Sequence, residues 1–234
     1  MTYLVLVRHG EARLNLEKRF AGWLDTPLTE KGIEDALRCA SDLKGIDFDL
    51  AFTSRLIRAR ETLFLILSKQ KKPGFMVHEP GAEAGAGAEG KATSHREWYS
   101  WPEKLGDEVI PIHSNEALNE RYYGLLQGKK KKKIKEKYGD EQIFIWCRSF
   151  ETGPPGGESL KDISTRAVPF FEKEILPAVK EGRNVIICAH QNSLRALIKH
   201  IEDISDEDIP SVALATATSL VYRYSEGRLV KDKN

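Results

Sequence analysis

Cysteine is scarce in this chain of 234 residues, which contains only Cys39, Cys147 and Cys188. Their number is odd, they lie far apart, and none belongs to a CxxC pair. The sequence therefore shows neither a zinc-binding motif nor the dense disulfide framework of a small secreted protein. Cys188 lies in the apolar run at residues 185–189, where a buried structural role is expected. We expect a reducing, cytoplasmic compartment.

The chain also has no long apolar run and almost no net charge. No stretch approaches the ~18 apolar residues that indicate a membrane-spanning helix, so we expect no membrane association. The apolar run at residues 3–7 is too short for a signal peptide, and its charge follows it instead of preceding it. The 36 Lys and Arg residues balance 35 Asp and Glu residues to give +1. Because this balance gives no overall attraction to nucleic acid, any anion site must come from a local cluster.

Apolar runs alternate with amphipathic stretches along most of the chain. The runs at residues 3–7, 48–53, 184–189 and 220–224 predict buried strands, the last of them the final strand of the chain. The stretches at 28–43, 56–67, 160–179 and 193–201 predict helices. Thr29 is the expected N-cap of the first, and Pro169 and Pro177 are expected to interrupt or end the third. The alternation predicts a layered α/β fold with a mostly parallel sheet.

Residues 70–114 differ in character from the rest. Residues 81–90 contain only Gly, Ala and Glu without an apolar period, which indicates an exposed, mobile loop. Short apolar pieces at 75–78 and 109–113 predict strands at its edges. We interpret the segment as an insertion within a single domain that spans residues 1–234.

Basic and imidazole side chains follow three of the predicted strands. Arg8 and His9 follow the first, Arg58 (with Arg60 as a nearby alternative) follows the second, and His190 follows the third. Since the carboxyl ends of parallel strands share one edge, these side chains are expected to meet there. A neutral imidazole can hold a phosphoryl group covalently, arginines clamp its oxygens, and a second, protonated imidazole stabilises developing charge. This pattern predicts phosphoryl transfer through a phosphohistidine on His9.

A metal centre is the alternative interpretation of the two histidines. The chain has no HxH or HExxH pair, and arginines dominate the neighbourhood. Because cations repel a metal ion and attract a phosphate, we expect no metal.

The sequence Arg8-His9-Gly10-Glu11 after an apolar strand resembles the histidine phosphatase superfamily. Further segments resemble its cofactor-dependent phosphoglycerate mutases, at residues 19–23, 28–32, 53–54, 118–124, 126–128, 137–141, 154–160 and 189–195. The resemblance runs from about residue 3 to about residue 224. It implies a three-layer α/β/α sandwich and the interconversion of 3-phosphoglycerate and 2-phosphoglycerate in glycolysis and gluconeogenesis. It also implies 2,3-bisphosphoglycerate as the phosphoryl primer, no metal, and small-molecule phosphoglycerates as partners. A homodimer is compatible with the sequence, which does not determine the oligomeric state.

The resemblance also implies roles for individual residues. His9 would accept the phosphoryl group beside His190, Arg8 and Arg58 would hold it, and Glu120 would be the general acid/base. Substrate contacts are implied for Asn15, Gly22, Arg121, Tyr123, Lys131, Arg148 and Asn192. Lys131 is selected from the run 129–133 by its offset from residues 126–128, and its neighbours stay alternatives. Acidic residues follow the run, which weakens its interpretation as a nucleic-acid patch.

Several positions depart from the family pattern. Ala12 and Ala21 stand where Ser and Thr are common, Gln191 replaces Gly, and residues 215–217 (Ala-Thr-Ala) replace Pro-Thr-Gly. A short segment after Pro154-Pro155 and a missing C-terminal extension would also weaken closure of the site, so that water competes for the phosphohistidine. Two alternatives therefore stay open. One is a histidine phosphatase that hydrolyses phosphate monoesters, and the other is a degenerate, non-catalytic binding or scaffold protein.

Overall fold

A single mixed sheet forms the centre of the computed structural model, which describes residues 1–77 and 108–232. Its strands are β1 (Thr2–Arg8), β2 (Leu50–Thr53), β3 (Gly74–Val77), β4 (Ile110–Ser114), β5 (Val185–Ala189), β6 (Ser219–Ser225) and β7 (Arg228–Lys231). Their order across the sheet is β3-β4-β2-β5-β1-β6-β7. The first five of these pair in parallel, whereas β6 and β7 are antiparallel. The predicted, mostly parallel sheet is confirmed.

The helices are α1 (Arg13–Leu16), α2 (Glu30–Asp42), α3 (Ile57–Leu67), α4 (Lys131–Tyr138), α5 (Asp140–Arg148), α6 (Leu160–Phe170), α7 (Leu176–Lys180) and α8 (Gln191–Ile201). Short 3₁₀ turns occur at Glu116–Leu118, Gly124–Leu126 and Ile209–Ser211. Thr29 caps α2 as predicted, because its side chain accepts a hydrogen bond from the backbone N–H of Gly32. No helix in the described part of the chain is long and apolar enough to cross a membrane.

The central strands are buried on both faces, which makes the sandwich three-layered. Along β1, Leu4 and Leu6 pack into a core cluster with α6, α7 and α8. Val5 and Val7, which point to the opposite face, pack with α2 and α3. Each face of the sheet is thus covered by helices, as the resemblance implied. Because the side chains on both faces of these strands are buried, the strands appear in the sequence as continuous apolar runs.

The C-terminal half contains one strand more than the sequence predicted. The strand at residues 220–224 is not the last, because β7 follows it after the two-residue turn Glu226-Gly227. Both turn residues have positive φ, as hairpin turns of type I′ require, and the Glu-Gly pair was the overlooked signal.

The predicted interruption of the third helix is confirmed. Pro169 lies inside α6 and a π turn at Phe171–Ile175 separates α6 from α7, since proline removes one helical N–H.

The edge strands of the predicted insertion are confirmed as β3 and β4. The low-complexity stretch at residues 81–90, predicted as a loop, lies outside the described residues. The assignment of one domain to residues 1–234 stays a prediction.

Candidate active site

The strand ends bring the two histidines together, as the sequence predicted. His9 follows β1 and His190 follows β5, and their ring centroids are 4.9 Å apart. Only 2% of His9 and none of His190 is exposed. Arg8 ends β1, while Arg58 lies in the first turn of α3, directly after β2. The parallel pairing of β1, β5 and β2 is what aligns these residues at one edge.

A hydrogen bond within the motif fixes the state of the His9 ring. Its Nδ1 lies 2.6 Å from the carbonyl oxygen of Gly10. A carbonyl can only accept, so Nδ1 carries the hydrogen and the lone pair resides on Nε2. Burial, and then the charges of Arg58 and Arg8, lower the pKa of His9 well below its ordinary value. The ring is therefore neutral and nucleophilic at neutral pH.

The Gly10 carbonyl is held by close backbone packing. A Cβ atom at Gly10 would lie 2.4 Å from the carbonyl oxygen of Gly32, and one at Gly32 would lie 2.1 Å from that of Glu11. Only glycine at both positions allows the first turn of α2 to approach this closely. The N–H of Gly10 also donates to Oγ1 of Thr62 on α3, at 3.0 Å. Two helices thus fix the residue that orients His9.

His190 is held by Ser54, whose Oγ lies 2.7 Å from its Nε2. Its Nδ1 is buried and has no hydrogen-bond partner among the described residues. Burial, followed by the charges of Arg58 and neighbouring cationic groups, lowers the pKa of His190 well below its ordinary value. The second imidazole was expected to be protonated. Burial and the nearby cations instead favour its neutral form.

Arg8 and Arg58 form the cationic wall beside His9. Arg8 Nη1 donates to the carbonyl of Leu214 at 2.5 Å, and Arg58 donates to those of Gly22 at 2.8 Å and Leu24 at 3.1 Å. Neither arginine forms an ion pair within the described residues, and the Nε atoms of both are buried without a partner there. Their charge is therefore available to an anion. Within residues 1–77 and 108–232, no cluster of three or more His, Cys, Asp or Glu side chains could hold a metal ion.

Only one of the two carboxylate oxygens of Glu120 forms hydrogen bonds within the described residues. Its Oε1 accepts hydrogen bonds from the backbone N–H of Arg121 at 2.7 Å and from the side chain of Asn192 at 2.9 Å. Oε2 makes no hydrogen bond in the part of the chain that the structure describes. The same Asn192 amide donates to the hydroxyl of Tyr123 at 3.3 Å, and burial raises the pKa of that phenol. The carboxylate is thus anchored by one oxygen and has the other free for proton transfer.

These residues surround a cavity of about 160 Å³. Its lining includes the predicted residues Arg8, His9, Asn15, Gly22, Arg58, Glu120, Tyr123, Lys131, Arg148 and Asn192. His190 is buried against the His9 ring. Arg121, for which a substrate contact was predicted, does not line the cavity. Its guanidinium is fully buried behind Tyr123, 5.9 Å from the ring centroid, and donates to the carbonyl of Trp146. Its side chain contributes charge from behind the wall.

Arg19 is a lining residue that sequence reasoning did not single out. It donates to the carbonyl of Gly128 at 2.8 Å and to Glu17 at 2.9 Å. Its place three residues before Gly22 was the available signal. Of the departures from the family pattern, Ala21 and Gln191 line the cavity and Ala12 does not. Only one of the two missing hydroxyls therefore belongs to the cavity wall.

Arg60, the alternative to Arg58, lies elsewhere. Its Nη2 donates to Oγ of Ser114 at 2.9 Å, and it lines a separate cavity of about 580 Å³ beside β4. The offset of two residues along α3 places the side chains on different faces of the helix. Arg58 is therefore the arginine that belongs to the histidine pair.

Comparison with known proteins agrees with this geometry. Residues 4–105 and 102–233 match the histidine phosphatase superfamily (branch 1). The chain belongs to this superfamily. It is 62% identical to the 2,3-bisphosphoglycerate-dependent phosphoglycerate mutase of Methanosarcina acetivorans, over 99% of this chain and 95% of that protein. Its identity to the Methanosarcina mazei mutase is 54%, over 98% and 93%, and to that of Chlamydia pneumoniae 40%, over 99% and 97%. The predicted family is confirmed.

Solved structures of two phosphatases share the fold. A mycobacterial glucosyl-3-phosphoglycerate phosphatase superimposes with a TM-score of 0.73 at 21% identity, covering 100% of this chain and 98% of that one. The α-ribazole phosphatase of Shigella flexneri gives 0.70 at 22% identity, over 99% and 95%. At this level of identity the likeness establishes the architecture alone.

Replacement of Arg58 by lysine tests the assignment of the cationic wall. Lysine keeps the charge but loses the planar fork. If one hydrogen bond to a charged group is lost, about 1.5–3 kcal/mol of stabilisation disappears, which is roughly a 10- to 150-fold decrease in kcat/KM. Arg60→Lys is the matched control and should change kcat/KM less than about 3-fold. Steady-state kinetics with 3-phosphoglycerate measures both variants. An equal loss of activity in the two would refute the assignment.

The neutral state of His9 predicts a pH dependence of stability. Its folded pKa is depressed, so below about pH 6.5 the unfolded chain binds a proton that the folded protein does not. The free energy of unfolding should therefore fall as pH decreases from about 6.5 toward the depressed pKa. Urea unfolding at pH 6.5 and 5.5 measures this loss. His9→Asn should lose about 1 kcal/mol less than the wild type over that unit. Equal losses would mean that His9 is not held neutral.

Proposed function

We propose that this protein is a phosphoglycerate mutase that interconverts 3-phosphoglycerate and 2-phosphoglycerate through a phosphohistidine on His9. The observation that carries the proposal is the Nε2 lone pair of a neutral His9 beside two arginines that have no carboxylate partner in the described chain. The full-length identity to mutases supports the choice of substrate.

The residues present fit 2,3-bisphosphoglycerate as the primer. The buried nitrogens Arg8 Nε, Arg58 Nε and His190 Nδ1 have no hydrogen-bond partner among the described residues and would donate to the oxygens of one phosphate. Arg19, Lys131 and Arg148 line the same cavity and would hold the carboxylate and the second phosphate. When bound, the compound supplies the phosphoryl group that His9 carries. The donor set consists of cations and imidazoles, so we propose that no metal is needed.

Phosphoryl transfer then follows from the tautomer of His9. Nε2 forms the bond to phosphorus as the bond from phosphorus to the ester oxygen breaks. Arg8 and Arg58 neutralise the charge that develops on the phosphoryl oxygens. The incoming dianion favours the protonated form of His190, because opposite charges at short range raise an imidazole pKa. His190 thereby becomes a donor in the complex, although it is neutral beforehand.

Glu120 moves the proton that each half of the reaction requires. Its free Oε2 gives a proton to the leaving alkoxide when His9 is phosphorylated, and it takes one from the glycerate hydroxyl that attacks the phosphohistidine. Glu120 loses a proton in one half-reaction and gains one in the other. The carboxylate consequently returns to its starting state after each turnover.

One assay tests the function. The purified protein is incubated with 3-phosphoglycerate and a trace of 2,3-bisphosphoglycerate, and both 2-phosphoglycerate and inorganic phosphate are measured. We expect fast isomer formation with little free phosphate. His9→Asn should abolish both products, and Glu120→Gln should lower kcat by about 10²–10⁴-fold. Dialysis against a metal chelator should leave the rate unchanged.

The other outcomes of this assay separate the alternatives. Phosphate without 2-phosphoglycerate would establish a phosphatase and overturn the mutase. Neither product, together with no acid-labile phosphate on the protein, would identify a non-catalytic member. Either result contradicts the proposal.

A further inference from the structure

The backbone that carries Glu120 lies outside the sheet and is held by one guanidinium. Arg166 on α6 donates through Nη1 to the carbonyls of Glu116 at 3.2 Å, Ala117 at 2.8 Å and Asn119 at 3.0 Å. Its Nη2 donates to the carbonyl of Glu120 itself at 3.1 Å. The turn at residues 116–120 therefore converges on a single side chain.

Arg166 is in turn fixed by a carboxylate. Its Nε and Nη2 each lie 2.9 Å from an oxygen of Glu158, which is the bidentate arrangement that a planar guanidinium favours. Glu158 also accepts a hydrogen bond from the N–H of Tyr122 at 2.7 Å. The pair is only about one-fifth exposed. It thus holds the chain on both sides of Glu120.

The same carbonyl joins this turn to a second wall of the site. Trp23 Nε1 donates to the Glu120 carbonyl at 2.6 Å, and the Arg166 guanidinium lies 6.0 Å from the centroid of the Trp23 ring. Trp23 directly follows Ala21 and Gly22, which line the cavity. Arg166 does not line it. Arg166 can therefore influence the reaction through the groups that it holds and through its charge, which helps to lower the pKa of His190. Replacement by lysine keeps that charge, so it tests the first route alone.

We infer that Arg166 is the positioning residue for Glu120, which sets where the general acid/base carboxylate meets the substrate oxygen. The inference rests on the proposed function of Glu120. The side chain is anchored from the cavity side through Oε1 and the backbone from the opposite side through Arg166. Since proton transfer needs heavy atoms about 2.6–3.2 Å apart, a small shift of this turn removes the transfer while leaving the phosphate site intact.

Arg166→Lys is the decisive variant, because it keeps the charge and the aliphatic stem but loses the fork. Two phosphoryl donors are compared. In the assay with 3-phosphoglycerate, the donor to His9 is 2,3-bisphosphoglycerate, and its leaving alkoxide needs a proton. In 4-nitrophenyl phosphate, the phosphorus–oxygen bond breaks as Nε2 attacks, and the stable phenolate departs with the electron pair and no proton. First-turnover release of 4-nitrophenolate, with excess enzyme, reports phosphorylation of His9 alone.

We expect Arg166→Lys to lower kcat with 3-phosphoglycerate at least 10-fold, with KM changed less than about 2-fold and 4-nitrophenolate release changed less than about 3-fold. Trp23→Phe, which removes the second donor to the Glu120 carbonyl, should show the same selectivity with a smaller loss. Arg223→Lys, whose partner Asp232 lies at the β6–β7 edge, is the control and should affect neither donor.

Equal losses with the two donors, or no loss with either, would overturn the inference. If Arg166→Lys does not fold, Trp23→Phe is judged by the same criterion. A wild type that releases phosphate without forming 2-phosphoglycerate would overturn the mutase proposal, and the two donors would still be compared through hydrolysis. The two failures are thus distinguishable.

Discussion

The hydrogen bond between His9 Nδ1 and the Gly10 carbonyl is the constraint on which the chemistry of this site depends. It decides which ring nitrogen carries the lone pair. The carbonyl is in place because Gly10 and Gly32 allow two backbones to touch and because Thr62 holds the Gly10 N–H. Gly10 and Gly32, which lie 22 residues apart in the sequence, therefore jointly fix the orientation of the His9 ring. A larger residue at either glycine would displace the first turn of α2. The Gly10 carbonyl would then no longer hold the hydrogen on Nδ1 of His9.

The second constraint is electrostatic and has two effects at once. The cavity is lined by five cationic side chains, Arg8, Arg19, Arg58, Lys131 and Arg148, and by one carboxylate, Glu120, in the described chain. These cations attract a phosphorylated acid, and burial together with the arginines beside His9 keeps its ring neutral. A chain with a net charge of only +1 thus concentrates positive charge where it is needed. In the proposed mechanism, the arriving phosphate raises the pKa of His190, which then gains a proton.

Much of this site could be predicted from the sequence, because parallel strands deliver the residues after them to one edge. That rule located His9, Arg58 and His190. The preference for Arg58 over Arg60 came from its spacing from Thr53-Ser54, and the structure places Arg58, not Arg60, in the wall of the cavity beside His9. Arg121 could not be placed in this way, because its neighbours are in a turn whose side-chain directions depend on tertiary packing. Arg166 could not be predicted either, since the four carbonyls that it holds are backbone groups, which no sequence pattern identifies.

The central claim is that the phosphoryl group is carried on Nε2 of His9, because Nδ1 is occupied by the Gly10 carbonyl. Multinuclear NMR of the protein, labelled with ¹⁵N in histidine and exposed briefly to 2,3-bisphosphoglycerate, measures this directly through the coupling of phosphorus to one ring nitrogen. The account predicts a phosphorus–nitrogen bond at Nε2 of His9. A bond at Nδ1 of His9, or at either nitrogen of His190, would contradict it.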